Sequence, residues 1–259
     1  MRTALDALRR PSVHARLVRR PLNGVDWPAR AHPPGLPGSG LHVWRIDLST
    51  RGEAGRALLS PDERARAERL VSAKARIRFR RARIALRRLL SRYLRVPPGE
   101  LALEYGKHGK PRLVPGREGD GAGDPLPFFF NLSHSGGIAL CAVGQLGEIG
   151  VDIERIRPLS YPGALARDHL SPEEWRRRSD WETAAARPEF FRIWARKEAI
   201  LKAAGLGLSR PLGRVDTIRG ELDGRPWWLM DLFPGAGFTG AVACSRAPGT
   251  VRQWSWRDR

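Results

Sequence analysis

The chain has 259 residues, of which 41% are hydrophobic, and this is enough to bury a sizeable core in one large domain or two modest ones. No stretch reaches the roughly 20 apolar residues that a membrane span needs, so we expect no membrane attachment. The net charge of +19 favours acidic partners or polyanions. Residues 64–95 concentrate that charge, with thirteen Lys or Arg against a single acid.

Residues 1–40 contain six prolines and seven arginines with little apolar periodicity, which predicts a flexible basic extension. We therefore expect a deletion of residues 1–38 to change activity little. Cys141 and Cys244 lie in apolar runs without a Cys or His at metal-ligand spacing. They indicate reduced core cysteines and a cytoplasmic protein.

Alternation predicts a strand from Leu41 to Leu48. The sequence Ser-Pro-Asp-Glu at 60–63 has the N-cap, proline and acids of a helix start, and a longer helix is predicted over residues 73–95. Residues 115–127 are rich in Gly, Pro and Asp and predict a mobile loop. Further strands are predicted at residues 128–130, 138–143 and 149–154, with a polar turn between the first two.

The order strand, Leu-Ser-Pro-acid-Glu helix start and basic helix occurs twice, with its serines at Ser60 and Ser171. We infer an α+β protein made of two similar α/β halves related by a pseudo-two-fold, with the active site at their interface. The predicted division is the extension over 1–40, an N-terminal half over 41–150 and a C-terminal half over 151–259.

Asp152 and Glu154 are two residues apart on a predicted strand, so their carboxylates point to the same side. Two such charges raise each other's pKa unless a cation lies between them. Hard oxygen ligands of this kind suit Mg²⁺, which often bridges protein carboxylates and substrate phosphates. The alternative is a structural pair on an exposed strand face.

A predicted helix over residues 191–202 carries Glu198, a possible third carboxylate, and Lys197 and Lys202, which could contact phosphate oxygens. The alternative is an ordinary amphipathic helix in which Glu198 and Lys202 form an i,i+4 pair. The polar residues 131–137 could bring a hydroxyl, an imidazole and backbone N–H groups to an anionic ligand, or could form a simple hairpin turn.

Together these segments resemble the signature of the 4′-phosphopantetheinyl transferase superfamily. The matching patterns are Asn-x-Ser-His-Ser at 131–135, Gly-x-Asp-x-Glu at 150–154 and Trp-x-x-Lys-Glu-x-x-x-Lys at 194–202. The length resembles the monomeric surfactin-synthetase-activating (Sfp) type rather than the short trimeric type. The resemblance runs from about Val43 to the C-terminal strands, includes Gly-Lys-Pro at 109–111, and leaves out the first 40 residues.

The resemblance implies a magnesium-dependent enzyme that moves 4′-phosphopantetheine from coenzyme A to a serine of an acyl or peptidyl carrier protein and releases 3′,5′-ADP. It implies the magnesium ligands Asp152, Glu154 and Glu198, and Glu198 is our first choice for the base that accepts the serine proton. The residues implied to bind coenzyme A are Arg64, Arg66, Arg78, Lys110, Ser133, His134, Asp152, Lys197 and Lys202. Glu174 matches an acid near the site to which no role is assigned.

Two other functions compete with this one. The basic helix suggests a nucleic-acid-binding protein, but that function leaves the three carboxylates unexplained, and no helix-turn-helix, zinc or RNA-recognition pattern is present. The second is a carrier-binding protein without activity.

The resemblance implies an acidic carrier partner, and Arg80, Arg83 and Arg87 are the predicted docking face. Carriers of polyketide, nonribosomal peptide, siderophore and fatty acid synthesis all remain open.

Overall fold

The computed structural model describes residues 26–35, 38–49, 55–114, 128–207 and 211–257. The predicted mobile loop over 115–127 and the first 25 residues of the predicted extension lie outside this part of the chain. The helices are α1 (Pro61–Glu68), α2 (Ala73–Leu94), α3 (Pro162–His169), α4 (Pro172–Trp175) and α5 (Arg187–Ala204). The strands are β1 (Ala29–Arg30), β2 (Gly40–Asp47), β3 (Leu103–Tyr105), β4 (Pro111–Leu113), β5 (Phe129–Ser135), β6 (Ile138–Gly144), β7 (Ile149–Arg155), β8 (Val215–Asp216), β9 (Glu221–Leu222), β10 (Arg225–Pro226), β11 (Trp228–Leu232), β12 (Phe238–Cys244) and β13 (Thr250–Trp256).

The elements form a mixed α+β protein in four layers. Strands β1-β13-β2-β6-β5 make a five-stranded sheet, and β11-β12-β7 make a three-stranded sheet. Helix α2 covers the outer face of the first sheet and α5 covers the outer face of the second. The inner faces of the two sheets pack on each other around residues such as Val43, Leu140, Val151 and Val242. Because strand side chains alternate, each sheet contributes to two cores.

One strand of the predicted C-terminal half lies in the sheet of the N-terminal half. Strand β13, at the C-terminal end of the chain, pairs in parallel with β2 from Thr250–Gly40 to Ser255–Arg45. The last strand therefore belongs to the sheet of the N-terminal half. The predicted boundary at residue 150 also falls inside β7, so the sequence ranges of the halves do not coincide with the two sheets.

The last part of the predicted extension packs against the fold. Strand β1 pairs in parallel with β13, and the indole Nε1 of Trp27 donates to the carbonyl oxygen of Phe233 at 2.8 Å. Trp27 also covers the core between the two sheets. The expectation of a flexible extension as far as residue 40 is therefore wrong for the residues around β1, because an edge strand and an indole fix them to the sheets.

Two helix starts repeat the same local structure, as the sequence duplication predicted. Ser60 caps α1 and Ser171 caps α4, each in a reciprocal capping box with a glutamate three residues later. Both glutamates are buried and reach a cation on the following long helix: Glu63 pairs with Arg87 at 2.8 Å, and Glu174 pairs with Lys197 at 2.7 Å. None of the described helices combines the length and the apolar composition that a bilayer crossing requires.

Candidate active site

Strand β7 presents its acids to α5. Its odd-numbered residues, Ile149, Val151 and Ile153, point into the core between the sheets. Gly150, Asp152 and Glu154 lie on the opposite face, which α5 covers. The alternation predicted from the sequence therefore holds, and it places both carboxylates under one helix.

Gly150 allows α5 to rest directly on the strand. A Cβ atom at this position would lie 2.0 Å from the carbonyl oxygen of Ala199 and 2.3 Å from the backbone nitrogen of Ala203. Only glycine permits this approach. The contact brings the segment of α5 that carries Glu198 and Lys202 onto Asp152.

Asp152 is the centre of the site. Its Oδ1 accepts hydrogen bonds from the hydroxyl of Ser133 at 2.8 Å and from Nζ of Lys202 at 2.5 Å. Lys202 Nζ also donates to Ser133 Oγ at 2.9 Å. The three side chains come from β5, β7 and α5, so the site joins the two sheets and one helix.

The polar segment predicted as a turn lies within β5, and Gly136 and Gly137 form the turn after it. The reason is that its side chains bond across to β7. Asn131 Oδ1 accepts from the backbone N–H of Val151 at 2.9 Å. Ser135 Oγ accepts from the N–H of Arg155 at 3.1 Å and donates to Glu154 Oε2 at 3.1 Å.

The site holds more negative than positive charge. Burial and the charge of Asp152 raise the pKa of Glu154 and of Glu198 to about 7 each. Burial alone would lower the pKa of Lys202, but the carboxylates of Asp152, Glu198 and Glu154 raise it above its usual value. Three carboxylates thus face a single ammonium group, which favours the binding of a further cation.

Two carboxylate oxygens are available to such a cation. Asp152 Oδ2 and Glu198 Oε1 are buried and have no hydrogen-bond partner among the described residues. Within that part of the chain, no group of three or more His, Cys, Asp and Glu is already gathered closely enough to hold a metal ion. These carboxylate oxygens fit a hard cation. The other oxygen of Asp152, Oδ1, is bonded to Lys202 and Ser133 in this structure.

Lys197 lies elsewhere, although it precedes Glu198. It is fully buried and its Nζ bonds to Glu174 Oε2 and to the carbonyl oxygens of Leu212 and Val215, at 2.7, 2.9 and 2.6 Å. The predicted coenzyme contact of Lys197 is therefore not seen, because three protein oxygens hold its ammonium group. Glu174, whose role was open, is a buried structural acid.

Two other predicted coenzyme-binding side chains are engaged by the protein. Lys110 Nζ bonds to Glu148 Oε2 at 3.2 Å and to the carbonyl oxygen of Ala203, at the end of α5, at 3.1 Å. The guanidinium of Arg64 turns to the carbonyl oxygen of Leu59. The side chain of Arg64 therefore points to the residue before the start of α1 rather than to the carboxylates of Asp152, Glu154 and Glu198.

A basic pocket of about 580 Å³ opens between α1 and the β3–β4 hairpin. The guanidinium of Arg66 lies over Gly109, where a Cβ would stand 2.6 Å from its Nη1. Gly109 has a φ of +75°, which also favours glycine. The lining residues are Arg66, Arg69, Leu70, Tyr105, Gly106, Lys107, His108 and Gly109. Such a pocket suits an anionic ligand with a flat ring.

His134 lies close to Lys202 and to two arginines of α2. Burial and then the charges of Arg83, Lys202 and Arg78 lower its pKa to about 4, so the imidazole is neutral near pH 7. Arg78, a predicted coenzyme contact, thus lies near His134. The structure brings together Arg78, Ser133, His134, Asp152, Glu154, Glu198 and Lys202, whereas Arg66 lies in the basic pocket.

The predicted docking face on α2 is wrong. Arg83 and Arg87 are only 8% and 2% exposed, and Arg80 pairs with Glu68 at 2.5 Å. Sequence reasoning also missed Tyr105, whose hydroxyl donates to Glu63 Oε1 at 2.8 Å on the wall of the pocket. The available signal for the two buried arginines was their spacing, because Arg83 and Arg87 lie four and eight residues after Phe79, on the same face of the helix.

Comparison with known proteins identifies the family. The family model of the 4′-phosphopantetheinyl transferase superfamily matches residues 148–226, which include β7 and α5. The 4′-phosphopantetheinyl transferase HetI of Nostoc sp. is 36% identical over 224 residues, which cover 83% of this chain and 92% of HetI.

Two other relatives match shorter segments. A putative 4′-phosphopantetheinyl transferase of Synechocystis sp. is 38% identical over 159 residues, or 61% of this chain and 62% of the relative. AcpT of Salmonella typhi, also named a 4′-phosphopantetheinyl transferase, is 42% identical over 127 residues, or 47% of this chain and 57% of AcpT. Since the match with HetI spans nearly that whole protein and the acids of β7 lie within the matched family model, the chain belongs to the 4′-phosphopantetheinyl transferase superfamily and is a transferase.

Proposed function

We propose that the enzyme transfers 4′-phosphopantetheine from coenzyme A to a serine of an acyl or peptidyl carrier protein and releases 3′,5′-ADP. The observation that carries the proposal is the buried cluster of Asp152, Glu154, Glu198 and Lys202 beside a basic pocket. Coenzyme A has a diphosphate and a 3′-phosphate, so its binding site needs several cations.

The proposal assigns the adenosine end of the coenzyme to the pocket lined by Arg66 and Tyr105 and its diphosphate to Lys202. Lys202 can donate from the edge of the site, because 27% of its side chain is exposed. Lys197 has no part in this placement.

We propose Mg²⁺ as the cation that the acids would hold, with Asp152, Glu154 and Glu198 as its protein ligands. The unpartnered oxygens of Asp152 and Glu198 and the excess of negative charge support this assignment. When bound, the ion would supply positive charge to the diphosphate and to the leaving 3′,5′-ADP.

In the transfer, the serine oxygen of the carrier bonds to the phosphorus next to pantetheine, and the bond from that phosphorus to the leaving 3′,5′-ADP oxygen breaks. Glu198 is also the proposed base that takes the serine proton, because burial raises its pKa to about 7 and makes this carboxylate a better proton acceptor. Lys202 and Ser133 hold Asp152 in place, and this positioning supplies much of the rate.

The same proposal includes the charge of the carrier, the oligomeric state of the enzyme and its location in the cell. An acidic carrier suits a protein of net charge +19. The repeated capping boxes support two related halves with the site between them, and we propose a monomer of the Sfp type. The two free, buried cysteines support a reducing, cytoplasmic location.

The test uses a fluorescent coenzyme A analogue, Mg²⁺ and a panel of apo-carrier proteins. We expect a carrier to be labelled at its acceptor serine, and a Ser→Ala carrier to remain unlabelled. EDTA should stop the labelling and Mg²⁺ should restore it. If every carrier stays unlabelled while the protein still binds them, the function is carrier binding without transfer.

A further inference from the structure

Thr239, on β12, carries a buried hydroxyl group that has no partner in the part of the chain that the structure describes. The residue is 4% exposed, and its Oγ1 makes no hydrogen bond to any described residue. Valine has the same shape and would fill the same space without burying a polar atom. A buried hydroxyl without a partner lowers stability, so its presence indicates a role other than packing.

The register of β12 places Thr239 directly beside Glu154 of β7. The two residues are Cα partners, as are Ala241 and Asp152 two positions further along. Residues directly opposite each other in an antiparallel pair point to the same face, with their Cβ atoms about 5 Å apart. That face is the one that α5 covers, because Ala241 packs there against residues of the helix. The hydroxyl of Thr239 therefore lies on the side of the acids, close enough for the carboxylate of Glu154 to reach it.

Glu154 is held less completely than Asp152. Oδ1 of Asp152 accepts hydrogen bonds from two side chains, at 2.8 and 2.5 Å. Within the described residues, Glu154 accepts one hydrogen bond, from the hydroxyl of Ser135 to Oε2 at 3.1 Å. Ser135 lies on β5, on one side of β7, whereas Thr239 lies on β12, on the other side. Glu154 thus has a hydroxyl group on each side, and only one of them is bonded to it.

We propose that Thr239 is a positioning residue of the transferase: its hydroxyl donates to Glu154 when the acids hold a divalent cation, and so fixes this ligand from the side opposite Ser135. The inference rests on the proposed function and goes beyond the three signature patterns, none of which includes β12. Carboxylates that bind a metal are commonly oriented by hydrogen bonds from neighbouring groups. On this face of β12 the hydroxyl of Thr239 is the donor available, because the other two positions are Ala241 and Ala243.

The first experiment measures the binding of Mg²⁺ alone, by calorimetric titration of the wild type, Thr239→Val and Thr239→Ser. Valine keeps the shape of threonine and removes the hydroxyl, whereas serine keeps the hydroxyl. We expect Thr239→Val to weaken Mg²⁺ binding roughly 10-fold and Thr239→Ser to stay within about twofold of the wild type, as for a hydrogen bond to a metal ligand. The matched control is Thr250→Val, which removes an exposed hydroxyl from β13 and should bind Mg²⁺ like the wild type. Equal affinities of Thr239→Val and the wild type overturn the inference, and so does a wild type that binds no Mg²⁺.

The second experiment separates positioning from packing, by thermal unfolding with and without Mg²⁺. Without Mg²⁺, Thr239→Val should melt at or above the wild-type temperature, because an unpaired hydroxyl is no longer buried. The rise in melting temperature that Mg²⁺ causes should be smaller in Thr239→Val than in the wild type. A metal-free Thr239→Val that melts well below the wild type would show that the hydroxyl is already bonded, which contradicts the inference.

The transfer assay then relates the inference to the proposed function. In Thr239→Val, the Mg²⁺ concentration for half-maximal labelling of a carrier should rise roughly 10-fold, and kcat at saturating Mg²⁺ should change much less. A lowered kcat with an unchanged Mg²⁺ requirement overturns the positioning role. If the wild type labels no carrier but still binds Mg²⁺ more tightly than Thr239→Val, the transferase proposal fails and the positioning role stands. If carriers are labelled and Thr239→Val has the wild-type Mg²⁺ requirement, the transferase proposal stands and the positioning role fails.

Discussion

Lys197 and Glu174 form an ion pair inside the protein, with 2.7 Å between Nζ and Oε2 and side-chain exposures of 1% and 0%. The same glutamate caps α4 and accepts from the N–H and hydroxyl of Thr217 at 3.0 and 2.7 Å. The pair therefore ties α5 to α4 and to the segment around Thr217. Lys197 is adjacent to Glu198 in sequence, but its charge therefore lies outside the candidate site.

We expect Lys197→Met to lower the free energy of unfolding by about 3 kcal/mol, because it leaves a buried carboxylate without its cation. Adding Glu174→Gln should cost less than the sum of the two single changes, since the amide needs no counter-ion. Urea denaturation measures both. The KM for coenzyme A should stay at the wild-type value, and a KM raised severalfold in a stable variant would restore the coenzyme contact predicted for Lys197.

Asp152→Asn should reduce transfer at least about 100-fold while the protein stays folded. The amide keeps the shape of the side chain but removes the charge that holds Lys202 and attracts a cation. Labelling rates and thermal melts should be compared with Asp47→Asn, which changes an exposed aspartate bonded to Ser49. Wild-type turnover by Asp152→Asn would contradict the central role of this carboxylate.

Lys202→Met should raise the KM for coenzyme A and also lower kcat, because its ammonium is the one that the site directs towards the diphosphate. Steady-state kinetics with each substrate varied in turn separates the two effects. The KM for the carrier should be unaffected. An effect confined to the carrier KM would assign Lys202 to docking instead.

Gly150→Ala should destabilise the protein by about 2 kcal/mol or more and impair transfer. The added methyl group would stand 2.0 Å from the carbonyl oxygen of Ala199, so α5 has to move off β7. Gly99→Ala is the matched control, because no atom lies within 4 Å of a Cβ at that position. Equal melting temperatures for the two variants would show that α5 does not depend on this contact.

Deletion of residues 1–31 should lower the melting temperature, contrary to what composition predicted for this segment. It removes the pairing of β1 with β13 and the hydrogen bond from Trp27 to Phe233. A deletion of residues 1–25 removes neither contact and serves as the control. Trp27→Phe alone should lower the melting temperature by part of this amount, since phenylalanine is aromatic but smaller and has no N–H donor.

The sequence predicted those elements whose signals are local. The capping residues Ser60 and Ser171 and the alternation of β7 depend only on neighbours within a few positions, and the structure has them where they were predicted. The motif order also pointed to the family. The same local reasoning treated Asn131 to Ser135 as a turn, because nothing nearby shows that their side chains bond to a strand 20 residues away.

The sequence by itself determined the helix starts at Ser60 and Ser171, the strands β2, β6 and β7, the presence of two carboxylates on one face of β7 and the membership of the family. Only the tertiary structure decided which cations serve the site. On α5, Lys197 and Lys202 are five residues apart and point about 140° away from each other. Packing against Glu174 buries the first, while contact with β7 brings the second to Asp152. On α2, the position of Glu63 decides that Arg87 has a buried carboxylate as its partner. These outcomes depend on distances between elements far apart in the chain, which no local pattern encodes.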